Sequence, residues 1–226
     1  MMLWSIRQCE NLDKAIFPGI GEYDIPRILP MEVEQPVEMI GFNFAAKYKH
    51  PERVGIHFFL KDYQFSRLWT SPDMYIDMLK RFRFVCTPDF SMYTDFPLAL
   101  QINSHYRKHW LGAYWQSKGI TVIPTICWSD ERSFEWCFDG EPEKSTVAVS
   151  SVGTQLNERS KSLFLLGYQQ MMSRLQPKMV LFHGRIPAEI TMKMGGTNGE
   201  NSPNSPVIVP VAAYQERLRK IDMGVT

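Results

Sequence analysis

The chain has 226 residues, of which 44% are apolar and 13% aromatic; this length and composition suffice to bury a sizeable core, and we expect one domain. Its 25 Lys and Arg are balanced by 24 Asp and Glu, which excludes a whole-chain attraction to nucleic acid or to an anionic membrane and leaves only a local basic patch. Neither the apolar core of a signal peptide nor a run near the ~18 residues of a membrane span occurs, so we expect a cytoplasmic protein with no membrane partner.

The first segment, residues 1–36, contains four prolines. Because proline fixes its backbone angle and lacks an N–H group, this segment is predicted to be an extended arm lying on the domain. Its Ile25 and Ile28 could dock into a groove of the core. The α/β core itself is predicted to span residues 37–184.

Six apolar runs of the core predict β-strands, because they are rich in β-branched residues and do not alternate with polar ones. Only about nine residues separate the first two, which is too short for a helical crossover. This pair could therefore be antiparallel, or the first strand could lie at the sheet edge. The predicted strands cover residues 39–44, 54–60, 84–89, 120–128, 145–153 and 178–184, and residues 207–211 could form a short edge segment.

Helical spacing of apolar residues appears between these strands. Ser71 as N-cap, followed by Pro72 and Asp73, is a helix-start signal, and Gly119 and Pro177 are helix-stop signals. Residues 185–206 are rich in Gly, Asn and Pro and are predicted to be a mobile loop of the same domain, which continues to residue 226. The predicted helices cover residues 72–82, 97–118, 132–138, 154 or 157 to about 175, and 214–221.

This alternation predicts an α/β fold with a mainly parallel sheet of about six strands and crossover helices. A doubly wound, Rossmann-like sheet and a partial β/α barrel both satisfy the pattern, since strand order distinguishes them. In either architecture, ligands bind beyond the carboxyl ends of the strands. Asp89, Trp128, Gly153 and His183 are therefore expected around one pocket.

The first candidate site residues follow the third predicted strand. Asp89 ends that strand, and Ser91 and Asp95 lie in the loop behind it. Paired carboxylates can bind a divalent cation or divide general acid and base roles. The structural alternative is that Asp95 caps the helix beginning at Pro97 and that Asp89 accepts hydrogen bonds within its own turn.

A second group follows the fourth predicted strand, where Trp128 precedes Asp130 and Glu131. An aromatic face beside carboxylates is typical of sites that hold a base or sugar ring. The alternative is a capping box, with Ser129 as N-cap and the two carboxylates in the first helical turn.

Two further strand ends contribute candidates. Gly153 and Thr154 could expose backbone amides to a phosphate, or could form an ordinary tight turn. His183 is the histidine at a predicted strand end and could act as acid, base or metal ligand with Asp89, or could be a satisfied edge residue. The usual zinc-hydrolase, serine-hydrolase and P-loop signatures do not occur, which argues against those classes.

The predicted helix 97–118 mixes basic and aromatic residues, as nucleic-acid surfaces do. Its helical spacing, however, favours a solvent-exposed side for His105, Lys108 and His109. Arg107 could still point toward the carboxyl edge and bind an acidic group. The four cysteines, which form no Cys-x-x-Cys pair, are expected to be reduced, mostly buried thiols.

Several runs of this chain resemble the domain-of-unknown-function 4417 family. The most specific are Pro88-Asp89-Phe90-Ser91 and Gly112-Ala113-Tyr114-Trp115-Gln116, and the resemblance covers about residues 20–184. It implies an intracellular bacterial protein, often carried by phages, plasmids or other mobile elements, and it implies no particular activity. The matching positions are residues 87–93, 95–97, 101–102, 107, 110–116, 119, 122–125, 128–130, 138–140 and 151–153.

Two functions of different classes fit these observations. In the first, the carboxyl edge binds or acts on a phosphate-containing ligand, a nucleotide or nucleic acid, with Asp89, Glu131 and His183 as polar groups and Trp128 as a stacking wall. A divalent cation could serve as cofactor.

In the second, the chain is a non-enzymatic module that binds a host protein, such as a counter-defence or replication accessory factor. The motivation is a set of aromatic residues expected at the surface, namely Trp4, Tyr63, Trp69 and Trp115. Exposed apolar patches of this kind would also suit a homodimer interface.

Overall fold

The computed structural model describes residues 6–194 and 206–211. Its strands are β1 (Gly19–Ile20), β2 (Ile25–Pro26), β3 (Met39–Gly41), β4 (Gly55–His57), β5 (Phe84–Cys86), β6 (Val122–Ile123), β7 (Thr146–Ser150), β8 (Met179–His183) and β9 (Val207–Val211). The α-helices are α1 (Ile6–Cys9), α2 (Phe42–Ala45), α3 (Arg67–Thr70), α4 (Ile76–Leu79), α5 (Leu98–Ser117), α6 (Glu158–Leu175) and α7 (Ala188–Met194). Short 3-10 helices cover Pro51–Arg53, Asp62–Gln64, Pro72–Tyr75 and Glu131–Glu135.

The central sheet is parallel throughout, which confirms the predicted α/β fold. Strands β3, β4, β5 and β6 pair side by side in that order, and β7, β8 and β9 form a second parallel group. A parallel bridge between Thr125 and Ala148 joins the two groups, with the Ala148 N–H donating to the Pro124 carbonyl at 2.8 Å. The described strands from β3 to β9 therefore follow one another in chain order.

The two faces of this sheet pack differently. Alternate residues of each strand point to opposite faces, so Val85 contacts the cluster that contains Trp110 and Trp115 of α5, whereas Phe84 and Cys86 contact a cluster without helical residues. That second cluster joins residues from almost every strand, namely Met39, Phe84, Cys86, Ile123, Ala148, Leu181 and Val211.

This packing favours the partial β/α barrel over the doubly wound sheet. A doubly wound sheet reverses its strand order and carries helices on both faces. Here the strand order is sequential, and the helical residues of α2, α4, α5, α6 and α7 that belong to a buried apolar cluster all lie in the two clusters on the sheet face opposite to Phe84 and Cys86. Within the described residues, β9 and β3 form no ladder that would close the barrel.

The first two core strands are parallel, so the antiparallel alternative was wrong and the edge position of β3 is confirmed. The strand ends at Gly41 instead of residue 44, because Phe42 and Ala45 bury their side chains on one side of a single helical turn. Together with the 3-10 turn Pro51–Arg53, this turn forms the crossover between β3 and β4, although the segment was expected to be too short for a helical crossover.

The long helices α5 and α6 are confirmed, whereas the shorter predicted ones differ. Gly119 adopts φ +81° after α5, and Asn157 caps α6 by accepting from Ser160 N–H at 2.9 Å. The predicted helix 72–82 is instead a 3-10 turn followed by α4, and Ser71 makes no side-chain cap. The predicted helix 132–138 is a 3-10 turn at Glu131–Glu135.

The N-terminal segment packs on α5 through β2. Ile25 and Ile28 are fully buried, and the Ile28 N–H donates to the Gly140 carbonyl at 2.8 Å. The side chain of Gln116 holds the next residue, Leu29, by accepting from its N–H and donating to its carbonyl.

Part of the predicted loop 185–206 is wrong, because α7 occupies Ala188–Met194 and buries Ile190. Residues 195–205 and the predicted helix 214–221 lie outside the described residues. The division into arm, core and C-terminal segment stays a prediction. Among the described helices, none combines the length and apolar character needed to cross a bilayer.

Candidate functional site

The carboxyl ends of β5, β6 and β7 open into a cleft, which we call the carboxyl-edge cleft. It consists of two overlapping cavities of about 790 and 890 Å³. Six of the predicted site residues line it: Asp89, Ser91, Asp95, Trp128, Gly153 and Thr154. The parallel strands thus bring together residues that are far apart in the sequence. This agrees with the rule that ligands bind beyond the carboxyl ends of parallel strands, which we call the strand-end rule.

Asp89 is held at the cleft wall by the extended ends of two strands. The Thr125 N–H donates to the Thr87 hydroxyl at 2.8 Å, and the Thr125 hydroxyl donates to the Thr87 carbonyl at 2.7 Å. Burial raises the pKa of Asp89 to about 6; Asp62 raises it further and Lys108 opposes the shift. The side chain keeps a partial opening to the cleft. A carboxyl group with a pKa near neutrality can both accept and donate a proton.

Cys127 lines the cleft next to Asp89. Burial raises the pKa of this thiol to about 12, so it is protonated at neutral pH and can donate to the Asp89 carboxylate. Its sulfur also lies 3.8 Å from the Lys108 ammonium. The carboxyl group therefore sits in a buried polar chain instead of facing solvent alone.

Asp62 is a cleft residue that the sequence reasoning missed. Its carboxylate accepts from the Ser91 N–H at 3.1 Å and from the Ser91 hydroxyl at 2.8 Å, which fixes the loop after β5. The hydroxyl and N–H of Ser91 are therefore already hydrogen-bonded within the chain, to Asp62. Asp62 belongs to a 3-10 turn and not to a strand end, so the strand-end rule could not select it.

Trp128 forms the aromatic wall of the cleft. Its ring centroid lies 5.4 Å from that of Phe164, and a Cβ atom on Gly167 would meet the indole at 2.2 Å. The absence of a side chain at Gly167 lets the indole approach α6 this closely. Because the indole is only partly buried, the rest of its surface faces the cleft.

The remaining cleft candidates have specific local roles. Both the N–H and the hydroxyl of Thr154 donate to the Ser151 carbonyl, at 3.1 and 2.8 Å, and Gly153 adopts φ +80°. This is the tight-turn alternative, and it leaves no free Thr154 amide for a phosphate. Asp95 is exposed at the cleft rim, and α5 begins at Leu98 with Pro97 at the N-cap position and no side-chain cap, so Asp95 does not cap the helix.

Four predicted site residues do not line the carboxyl-edge cleft, namely Asp130, Glu131, Arg107 and His183. Asp130 caps the 3-10 turn by accepting from the Arg132 N–H at 3.1 Å, and it pairs with the Arg132 guanidinium at 2.6 Å. Asp130 and Glu131 line a separate cavity of about 340 Å³. Arg107 instead lies over the Trp69 ring, with 5.1 Å between the guanidinium carbon and the ring centroid.

His183 lies one layer behind the cleft. Its ring stacks on Phe59 with 4.7 Å between centroids, its Nδ1 is 3.2 Å from the Ser150 hydroxyl, and His57 lies 5.0 Å away. Phe59 and Ser150 are themselves cleft residues. Burial, with a contribution from His183, lowers the pKa of His57 to about 3, so His57 stays neutral. His57 was not singled out from the sequence.

The expected solvent-exposed side of α5 is wrong. His105 and Lys108 are 1% exposed and His109 is fully buried. The Lys108 ammonium donates to Glu141 at 2.6 Å and to the Thr125 carbonyl at 3.0 Å. Glu141 is buried with them.

The aromatic surface expected for a protein partner is also partly wrong. Trp69 is 4% exposed and Trp115 is fully buried, whereas Tyr63 is exposed. Trp4 lies outside the described residues.

A comparison with protein families agrees with the resemblance in the sequence. The profile of a family described as "Domain of unknown function (DUF4417)" matches residues 17–198. The chain belongs to the DUF4417 family. The match continues beyond Gly184, so the expected limit of the resemblance at that residue was wrong.

Relatives of the chain occur in phages. The chain is 39% identical over 175 residues to the Gene 1 protein of Mycobacterium phage L5, a match that covers 76% of this chain and 76% of that protein. It is 38% identical over 175 residues to the Gene 1 protein of Mycobacterium phage D29, covering 76% of this chain and 64% of that protein. No solved structure matches the chain. The expectation of a phage-type family is thereby confirmed.

Proposed function

We propose that this phage-type DUF4417 chain binds a nucleotide-like ligand in the carboxyl-edge cleft, with the ligand's ring on Trp128 and a polar group of the ligand on Asp89. The observation that carries the proposal is the convergence of these two residues. A carboxyl group with a pKa near 6 and a partly open indole line the same cavity at neighbouring strand ends. Perturbed carboxyl groups in clefts are typical of functional sites.

The size of the cleft supports a ligand of nucleotide dimensions. Pockets for small ligands and cofactors are commonly about 300–1,000 Å³, and the two overlapping cavities here hold about 790 and 890 Å³. Apolar walls from Met92, Phe59 and Phe164 surround a few polar groups. This composition suits a flat ring that carries a polar edge.

The charges of the cleft constrain how a phosphate could enter. Of the described residues that line it, only Lys61 is cationic, whereas Asp62, Asp89 and Asp95 are acidic. A free triphosphate would be repelled by these carboxylates. We therefore infer that the phosphate arrives as a complex with a divalent cation, which neutralises it.

Calorimetric titration with ATP, GTP, CTP and UTP, each with Mg²⁺ and each with EDTA, tests this proposal. We expect at least one Mg²⁺-nucleotide to bind, and binding to weaken at least ~10-fold in Trp128→Leu, because stacking on an aromatic ring is worth about 1–3 kcal/mol. Asp89→Asn should weaken it as well. The matched control is Asp77→Asn, which removes an exposed carboxylate of α4.

Two results would count against the nucleotide ligand. One is the absence of heat and of any change in tryptophan emission with all four nucleotides. The other is equal binding by the native chain and by Trp128→Leu, which would place the ligand elsewhere.

A protein partner is the second candidate function, supported by exposed rings at the rim of the cleft. Tyr63 and Tyr93 are 73% and 60% exposed, and Phe96 packs edge-on against Tyr93. A pull-down from a host lysate should recover a stoichiometric partner, and the double variant Tyr63→Ser, Tyr93→Ser should lose it. Light scattering of the pure chain separates a homodimer from a host partner. Recovery of no stoichiometric protein would argue against this function.

A further inference from the structure

A buried polar cluster lies away from the carboxyl-edge cleft, between α5 and the loop that follows the 3-10 turn Glu131–Glu135. His105 and His109 are one helical turn apart on α5, and Glu141 faces both of them. One ligand atom of each residue can be chosen so that all three atoms lie within 4.8 Å of one another. All three side chains are buried, with exposures of 8% or less.

The hydrogen bonds of the two imidazoles determine which nitrogen carries the proton. His105 Nε2 lies 3.1 Å from the Asp139 carbonyl, and His109 Nδ1 lies 2.8 Å from the Pro26 carbonyl. A carbonyl oxygen only accepts, so each of these nitrogens must carry a hydrogen. In the neutral rings, the other nitrogen of each histidine, His105 Nδ1 or His109 Nε2, therefore carries a lone pair.

The acceptors in this cluster outnumber the donors. Lys108 donates to Glu141 Oε1, which also lies 3.0 Å from His109 Nε2. Glu141 Oε2 and His105 Nδ1 have no hydrogen-bond partner among the described residues. Protonation of His109 would supply a donor to Oε1 but would leave both of those atoms unpaired. A buried acceptor without a partner destabilises the fold, so a bound cation or an additional donor at this point would stabilise it.

We propose that His105 Nδ1, His109 Nε2 and the Glu141 carboxylate form a site for a divalent transition metal of the Zn²⁺ type. Imidazole nitrogen and carboxylate oxygen are common ligands of Zn²⁺. Two nitrogen ligands disfavour Mg²⁺ and Ca²⁺, which take oxygen ligands. Histidines that bind metal typically donate their other ring N–H to a carbonyl or carboxylate, and both histidines here do so.

The site would join three segments that are distant in the sequence. Pro26 belongs to β2, the histidines belong to α5, and Glu141 follows Gly140. Gly140 adopts φ +74°, and a Cβ atom there would come within 2.6 Å of the Pro26 carbonyl and 2.8 Å of His109 Nδ1. The loop can approach the helix this closely only with glycine. A metal held here would tie the N-terminal segment to α5 and the loop, which is a structural role.

The experiment uses the full chain, purified without a histidine tag. Elemental analysis after exhaustive dialysis measures metal retained from expression. Titration of the EDTA-treated chain with Zn²⁺, in competition with a chromophoric chelator, measures affinity, and titration with Co²⁺ reports coordination by visible absorption. We expect one high-affinity equivalent per chain and an intense low-coordinate Co²⁺ spectrum.

The variant His105→Gln is the first test of the ligand set. It removes Nδ1 while its amide can still donate to the Asp139 carbonyl, and we expect its Zn²⁺ affinity to fall at least ~10-fold. The matched control is His50→Gln, since His50 is an exposed histidine with 64% of its side chain accessible. Cys9→Ser controls for binding by the exposed thiol. Both controls should bind as the native chain does.

Failure of the proposal would be clear. A native chain that is folded by circular dichroism but binds no equivalent of Zn²⁺ with high affinity would overturn it. Equal affinity in the native chain and in a folded His105→Gln would also overturn it. If His105→Gln does not fold, the Co²⁺ spectrum of the native chain decides between imidazole–carboxylate coordination and weak surface binding. None of these outcomes depends on the nucleotide proposal.

Discussion

Replacing Asp89 with Asn should remove a pH-dependent destabilisation of the native state. The pKa of Asp89 is about 6 in the folded chain against an ordinary value of 3.8, chiefly because the carboxyl group is buried. Each pKa unit corresponds to 1.36 kcal/mol, so the ionised carboxylate costs the native state about 3 kcal/mol above pH 7. Asparagine has a similar shape and carries no charge at any pH.

The sign of the effect follows from the direction of the shift. Between pH 4 and pH 6 the folded chain holds the Asp89 proton more tightly than the unfolded chain does. The contribution of this group to stability is therefore fully present below about pH 4 and is lost as the pH rises through 6. Relative to Asp89→Asn, the native chain should lose about 1.4 kcal/mol per pH unit in that window and then level off.

Urea unfolding measures this difference directly. Tryptophan emission is followed for both chains at half-unit steps from pH 4.5 to 8, in EDTA and without ligand, and the free energies of unfolding are subtracted. The subtraction cancels any pH-independent loss of contacts caused by asparagine, and Asp77→Asn serves as the control. A difference that stays constant across this range would refute the assignment of the raised pKa to Asp89.

Two further predictions concern the packing around the cleft. Gly167→Ala should destabilise the fold by about 1–3 kcal/mol in urea unfolding, despite a better helix propensity, because the new methyl group overpacks against Trp128 and must displace its indole. The emission maximum of Trp128 should shift as the ring moves. Since burial lowers the pKa of His57 to about 3, the contribution of this neutral imidazole to stability is fully present above about pH 6.5. Below that pH, the free energy of unfolding should fall by about 1.4 kcal/mol per pH unit, and His57→Asn should flatten this acid limb.

Each of these predictions has its own control. Ser173→Ala also improves helix preference, by less than Gly→Ala does, at an exposed position of α6 and should be neutral or slightly stabilising. An equally neutral Gly167→Ala would contradict the described contact. For the acid limb, His50→Gln removes an exposed histidine. Identical acid unfolding of the native chain and His57→Asn would show that His57 does not remain neutral in the fold.

Local signals in the sequence determined most of the secondary structure. The β-branched runs around Val85, Val147 and Val180 predicted buried parallel strands, because both faces of such strands must be apolar. The ends of α5 and α6 followed from residues that act on their own neighbours, such as Gly119 and Asn157. Short turns were less predictable, since a 3-10 turn and an α-helical turn share the same capping residues.

The strand-end rule also placed much of the candidate site correctly. Asp89, Trp128 and Gly153 share one cleft because parallel strands must present their carboxyl ends at one edge. Glu131 does not join them, because the 3-10 turn after Trp128 carries it to a separate cavity. Arg107 is also apart from the cleft, since Trp69, a distant residue in the sequence, holds its guanidinium.

The buried cluster on α5 was beyond the reach of the sequence pattern. Histidine and lysine at helical spacing normally indicate a solvent-exposed face. Here that face is buried, because Pro26, Thr125 and Glu141 pack against it and form hydrogen bonds with His109 and Lys108. The sequence thus determined which segments form strands and helices, because those preferences act between near neighbours. Tertiary structure alone decided strand order, the face of α5 that is covered and the partners of each buried charge. These depend on contacts between residues that the chain brings together only when it folds.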